Sequence, residues 1–301
     1  MMVDQAARLR SMIQERSSIK EGNFSRIISV ASGKGGVGKT NLVVNMGIIM
    51  GQLGFRTIIL DTDLGMANTD ILLDLKPSHT LIDVIRGEKT LHEILIKGPQ
   101  NVELLPGGSC LTDLIDLDNW QREELLTKLS YLDQEDAILL IDCSAGLSRD
   151  VLSFIISSDD LVLVTTPEPT AITDAYGIIK TLSSYETRPR IGLVVNMVRD
   201  MKEGDATFQR IDNVCQRFLD MKIDYLGSIE QDHDVRKAVM NCHPYALQFP
   251  RSRVTLLTRE ITRTLIYGDE KPVDTAPPAP EVKNKNIFHR LFSLWKTAKE
   301  G

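Results

Sequence analysis

Eight residues, Gly33-Lys34-Gly35-Gly36-Val37-Gly38-Lys39-Thr40, combine four glycines with two lysines and a threonine. The chemistry this combination supports is the holding of phosphate. Glycines let successive backbone N–H groups converge on an anion, and the helix N-terminus that follows adds positive potential. Lys39 can then reach β- and γ-phosphates, and the Thr40 hydroxyl can ligate Mg²⁺. Gly33, Gly35 and Gly38 also satisfy the G-x-G-x-x-G dinucleotide pattern. The Lys39-Thr40 pair argues against that pattern, because a pyrophosphate held by backbone needs no lysine there.

Acids complete the set. The run Thr57-Ile58-Ile59-Leu60 ends in Asp61-Thr62-Asp63, and Ala137-Ile138-Leu139-Leu140-Ile141 ends in Asp142. Ligands of doubly wound sheets bind at the carboxyl ends of strands, which puts these acids beside the phosphates. Asp61 and Asp63, two apart on extended chain, point to one side. One can orient a metal-bound water and the other can position an attacking water; a solvated acidic turn is the alternative. Asp142 at the end of an apolar strand is the Walker-B arrangement for Mg²⁺. Ser144 is not read as a nucleophile, since G-x-S-x-G is missing around it. Lys34 has two equal readings on its chemistry: a solvated loop lysine, or a cation that reaches a nucleotide held by a facing subunit, as an arginine finger does.

Positioning such groups needs strands that end at one level. Seven short apolar runs supply them: Arg26–Ser32, Arg56–Thr62, Val102–Pro106, Ala137–Cys143, Leu161–Thr166, Ile191–Met197 and Tyr225–Ile229. Helical patterns separate them. Continuous apolar strands between helices predict an α/β fold of the P-loop NTPase kind, a doubly wound, mostly parallel sheet with helices on both faces. The chain of 301 residues, 42% hydrophobic, suffices for one large core of this type. Its net charge of −6 provides no global basic field for nucleic acid. Cys110, Cys143, Cys215 and Cys242 form no C-x-x-C, which argues against a zinc or iron–sulfur site within one chain and for a reducing cytosol. No apolar run reaches membrane-spanning length and no signal-peptide pattern is expected.

The stretch Lys34–Thr40, the Asp61-Thr62-Asp63 strand end and Asp142 resemble the deviant-Walker-A ATPases, the MinD/ParA group, over residues 24–267. The resemblance implies an ATP- and Mg²⁺-dependent homodimer with two ATP molecules at its interface. Catalytic roles then fall to Lys39, to Lys34 acting across the interface, and to Asp63 on the catalytic water. Thr40, Asp61 and Asp142 match the metal-side positions. The nucleotide would be bound by Gly33, Lys34, Gly35, Gly36, Val37, Gly38, Lys39 and Thr40, with Asn196, Ile229 and Glu230 in segments that bracket the adenine. Ser144 departs from the proline that many relatives carry.

The ends narrow the resemblance. Residues 1–23 form a polar arm in which Met2, Ala6, Leu9 and Ile13 fall at helical spacing; so short a helix is expected to fold on a partner. Asp4, Gln5, Ala6, Leu9 and Arg10 resemble the D-Q-A-x-x-L-R motif of FlhG-like (YlxH/FleN) flagellar-number regulators. In that family the arm stimulates the GTPase FlhF, and Gln5 has the chemistry to orient water in a partner's site. Residues 268–286 read as a proline-rich linker. Residues 287–301 place Phe288, Leu291, Phe292 and Trp295 on one side of a helix flanked by lysines and arginine, the pattern of a membrane-interface helix. This resembles the membrane-targeting tail of MinD and FlhG proteins. The expectation is a cytoplasmic protein, reversibly peripheral on the cytoplasmic face of the cell membrane. Flagellar switch-complex proteins or a flagellar transcription regulator are further expected partners. The competing readings are a MinD-like division-site factor and a ParA-like DNA-partitioning protein. The latter would use Arg251, Arg253, Arg259 and Arg263; specific nucleic-acid binding is not expected in so acidic a chain.

Overall fold

The computed structural model describes residues 26–62, 68–107 and 137–268. In chain order these form β1 (Arg26–Ala31), α1 (Lys39–Gln52), β2 (Arg56–Asp61), α2 (Thr69–Leu72), α3 (Leu81–Ile85), α4 (Leu91–Ile94), β3 (Ile96–Lys97), β4 (Val102–Pro106) and β5 (Ala137–Asp142). Next come α5 (Arg149–Ser157), β6 (Asp160–Thr165), α6 (Pro169–Ser183), β7 (Arg190–Val198), α7 (Met201–Leu219), β8 (Asp224–Glu230), α8 (His233–Met240), α9 (Tyr245–Gln248) and α10 (Arg253–Tyr267).

One eight-stranded sheet runs in the order β3-β4-β2-β5-β1-β6-β7-β8. All its pairings are parallel except β3 with β4. The expected doubly wound, mostly parallel sheet is what the chain forms. β3, a two-residue edge strand, was absent from the seven expected runs; so short a segment carries no periodicity to read.

Both faces are covered, and this explains the unbroken apolar strands. On β5, Ala137, Leu139 and Ile141 pack into the layer of α5, α6 and α7, while Ile138 and Leu140 pack into the layer of α1, α8, α9 and α10. On β1, Ile27 and Ala31 take the first layer and Ile28 and Val30 the second. A strand with only one buried face would show alternation instead. α1 is buried nearly all round, as a helix between a sheet and three further helices must be. Its Asn45 accepts the Ala246 N–H at 2.8 Å and donates to the Asn41 carbonyl at 2.8 Å, so α9 is pinned to α1 through a satisfied buried amide.

Near the end of α1 the turn entering β4 crosses the helix. A β-carbon built on Gly51 would lie 1.6 Å from the Gln100 carbonyl oxygen. Both neighbouring turn residues are already in left-handed conformation, Gln100 at φ 53° and Asn101 at φ 59°, so the backbone has little room to yield. Gly51→Ala is expected to destabilise the fold by about 3 kcal/mol, the upper end of overpacking costs. Urea denaturation checks this; a midpoint equal to wild type would contradict it.

Candidate nucleotide-binding site

The loop Gly33–Gly38 joins β1 to α1, at the point where the order of strands reverses. β1 lies between β5 and β6, so the chain leaves it in one direction for β2 and later crosses to β6. This crevice beyond the carboxyl ends is where doubly wound sheets take ligands. Gly36 (φ 80°) and Gly38 (φ 87°) occupy left-handed conformations that turn the loop back over the strand. α1 begins at Lys39 with no side-chain cap and no acidic residue in its first turn. Its leading N–H groups and dipole thus meet no carboxylate from the helix's own first turn, which fits an anion.

Lys39 is 9% exposed, and its ammonium contacts the Asp142 carboxylate. Asp61 and Asp142 are register partners on the adjacent strands β2 and β5, so two carboxylates stand side by side at one level. Asp61 also accepts the Thr69 N–H at 3.4 Å, which fixes the start of α2 relative to the strand end. Oxygen donors of this kind, two carboxylates at adjacent strand ends with Thr40 in the first turn of α1, suit a hard cation such as Mg²⁺. The residues present thus fit the ATP and Mg²⁺ that the sequence implies. Asp63 lies outside the described residues, as do residues 1–23 and 287–301 with their partner and membrane positions.

Ser144, the departure noted above, has structural work. Its hydroxyl donates to the Thr62 carbonyl at 3.1 Å, while the Thr62 hydroxyl donates to the Asp142 carbonyl at 2.8 Å. Gly146 N–H closes the loop onto the Ser32 carbonyl at 2.9 Å. The segment after β5 is thereby tied to both neighbouring strand ends. Between them, Cys143 is fully buried, and burial pushes its thiol up to about 12, so it stays neutral and unreactive at neutral pH.

Lys34 sits at the rim. Its ammonium lies 2.6 Å from the Glu168 carboxylate and 3.3 Å from the Thr170 hydroxyl, at the start of α6. Sequence reasoning missed these partners; Glu168 precedes Pro169, a helix-start signal that marks the position but not the contact. The Lys34 side chain is 41% exposed and Glu168 is 64% exposed. Ion pairs so open to solvent contribute about 0–1 kcal/mol, so this one can be exchanged for another anion at little cost.

Asn196, Ile229 and Glu230 come together on β7 and β8. Asn196 pairs with Ile229 and Val198 with Glu230, leaving Met197 as an extra residue at φ 58°. Such a bulge re-aims side chains at a strand end. The Asn196 amide donates to the Val37 carbonyl at 2.7 Å and accepts the Met197 N–H at 2.9 Å, fastening the phosphate loop to β7. One N–H and one lone pair of that amide remain for a base. These residues line a cleft of about 200 Å³ that runs on from Gly38 and Asn41. Met197, Gln231 and Asp232, from the same two segments, also line it, as do Asn41, Arg236 and Tyr245, which were not singled out from sequence. Among the four arginines of the DNA-binding alternative, Arg253 pairs with Glu230 at 3.2 Å and Arg259 donates to Gln52 at 3.0 Å.

A strand, a glycine loop with Lys39 and Thr40, and acids at adjacent strand ends define a P-loop nucleotide-binding protein. Residues 28–245 match the CobQ/CobB/MinD/ParA nucleotide-binding domain, and the chain belongs to that family. It is 37% identical to the antiactivator FleN of Pseudomonas aeruginosa, over 84% of this chain and 89% of that protein. It is 32% identical to the flagellum site-determining protein YlxH of Helicobacter pylori, over 79% of this chain and 82% of that one. Among solved structures, the septum site-determining protein MinD of Pyrococcus horikoshii, complexed with Mg-ADP, superposes with a TM-score of 0.65. The two are 27% identical over 80% of this chain and 96% of the other. Among the described residues, no helix is long and apolar enough to cross a membrane.

Proposed function

We propose that the chain is an ATP-switched regulator of flagellar number or placement. The similarity to FleN and YlxH along most of both chains carries this reading, supported by the phosphate loop with its second lysine. In it, residues 24–267 bind ATP, with the loop Gly33–Thr40 on the phosphates and Asn196, Ile229 and Glu230 about the adenine. Thr40, Asp61 and Asp142 would hold Mg²⁺, whose role is to neutralise charge on the transferring phosphate. ATP brings two copies face to face. Lys34 leaves Glu168 for the nucleotide of the facing copy, and Lys39 leaves Asp142 for the phosphates of its own. Asp63 positions the attacking water, and intrinsic turnover is slow. The arm, residues 1–23, stimulates an FlhF-type GTPase. The linker, 268–286, lets residues 287–301 reach an anionic membrane, and two tails in one dimer bind by avidity.

Three experiments test this reading. Removing residues 1–20 is expected to abolish stimulation of the GTPase partner; unchanged stimulation would remove the arm from the account. Full chain should sediment with anionic vesicles in ATP more than in ADP, and a chain ending at residue 280 should not. Asp63→Ala is expected to keep ATP bound and to accumulate a long-lived, membrane-associated dimer. A wild-type hydrolysis rate in that variant would exclude Asp63 from the water's activation.

A further inference from the structure

The wall of the base cleft carries three charged side chains, Glu230, Asp232 and Arg236. Two are committed within the protein. Glu230 pairs with Arg253 at 3.2 Å. Asp232 accepts the Asp234 N–H at 2.8 Å and the Val254 N–H at 3.3 Å, joining the starts of α8 and α10. That joint fixes α8, and with it Val235 and Arg236, along the cleft. The Arg236 guanidinium has no ion pair or hydrogen bond among the described residues. It also borders an open groove on the outer side of α8, beside Lys237 and Met240. Lys237, its neighbour, is engaged by Asp234 at 2.9 Å. Arg236 is thus an uncommitted planar cation at the edge of a cleft whose two other charged side chains are engaged within the protein.

We propose that Arg236 lies over the exposed face of the bound base and sets a preference for purine over pyrimidine nucleotides. A guanidinium stacks on an aromatic ring through its plane and its charge together, and a lysine ammonium does not reproduce the stack. A bicyclic purine offers the larger face. Elsewhere in the lining, Asn196 is held by its bonds to Val37 and Met197, so the base would meet a fixed amide as well as the unpaired guanidinium.

This rests on the nucleotide-binding reading, and the test separates the two. Affinities of the full-length chain for ADP and for CDP are measured by calorimetry, since the phosphates are the same and the bases differ. In Arg236→Ala the ADP affinity should fall about tenfold and the CDP affinity by no more than about threefold, so most of the selectivity disappears. Arg236→Lys, which keeps the charge, should recover little of it. Equal losses for both nucleotides, unchanged ADP affinity in Arg236→Ala, or full recovery by Arg236→Lys would each overturn the proposal. A wild-type chain that binds neither nucleotide would overturn the nucleotide reading itself.

Discussion

Lys39→Ala is expected to abolish measurable ATP binding, the largest functional effect of any single substitution in the chain. The Lys39 side chain is 10% exposed and that of Asp142 2%, so the ammonium acts where water screens it little. A phosphate group brought to the loop gains a charge-assisted hydrogen bond from this ammonium. The same substitution leaves Asp142 buried without its cation, and breaking such a pair costs about 3–5 kcal/mol. Binding and folding are therefore both affected and must be separated. Combining Lys39→Met with Asp142→Leu removes both charges and should restore much of the stability while leaving ATP unbound. Calorimetry with ATP and Mg²⁺, alongside thermal denaturation, checks both. Wild-type ATP affinity in Lys39→Ala would refute the role given to this lysine.

Gly38→Ala should come next, lowering ATP affinity at least about 100-fold, a loss of about 2.7 kcal/mol. Alanine at φ 87° carries a left-handed penalty of about 1–2 kcal/mol. Its β-carbon would also stand 2.4 Å from the Asn196 amide nitrogen. Asn196 would have to leave the Val37 carbonyl, and the bulge at Met197 would lose the bond that shapes it. One methyl group thus disturbs the phosphate loop and the base cleft together. The sheet lies beneath these contacts, so far-ultraviolet circular dichroism should hardly change. Full ATP affinity would mean that the loop tolerates another path.

The reading of the sequence was strongest where local pattern and tertiary role coincide. Seven apolar runs gave the strands because both faces of a parallel sheet are buried, and the motif around Lys39 carried its own context of strand, loop and helix. Asp61 and Asp142 were placed at strand ends, and the structure sets them in register on neighbouring strands. What stayed hidden depends on contacts distant in sequence. The Lys34–Glu168 pair spans 134 positions, and the Asn196 bond to Val37 spans 159. No periodicity encodes either one. The Met197 bulge was equally invisible, since its sequence reads as uninterrupted strand. Arg236 was passed over because a basic residue on a short polar helix looks like ordinary surface until the cleft beside it is seen.

Lys34 links these parts to the proposed switch. Its solvent-exposed attachment to Glu168 is weak enough to release, and the anion that replaces it belongs, in the proposed account, to a second copy. The decisive measurement is the mass of the Asp63→Ala chain in solution by sedimentation equilibrium, with Mg²⁺ and either ATP or ADP. The account predicts a dimer in ATP, a monomer in ADP, and a monomer in both once Lys34→Ala is added. An Asp63→Ala chain that binds ATP and remains monomeric would contradict it.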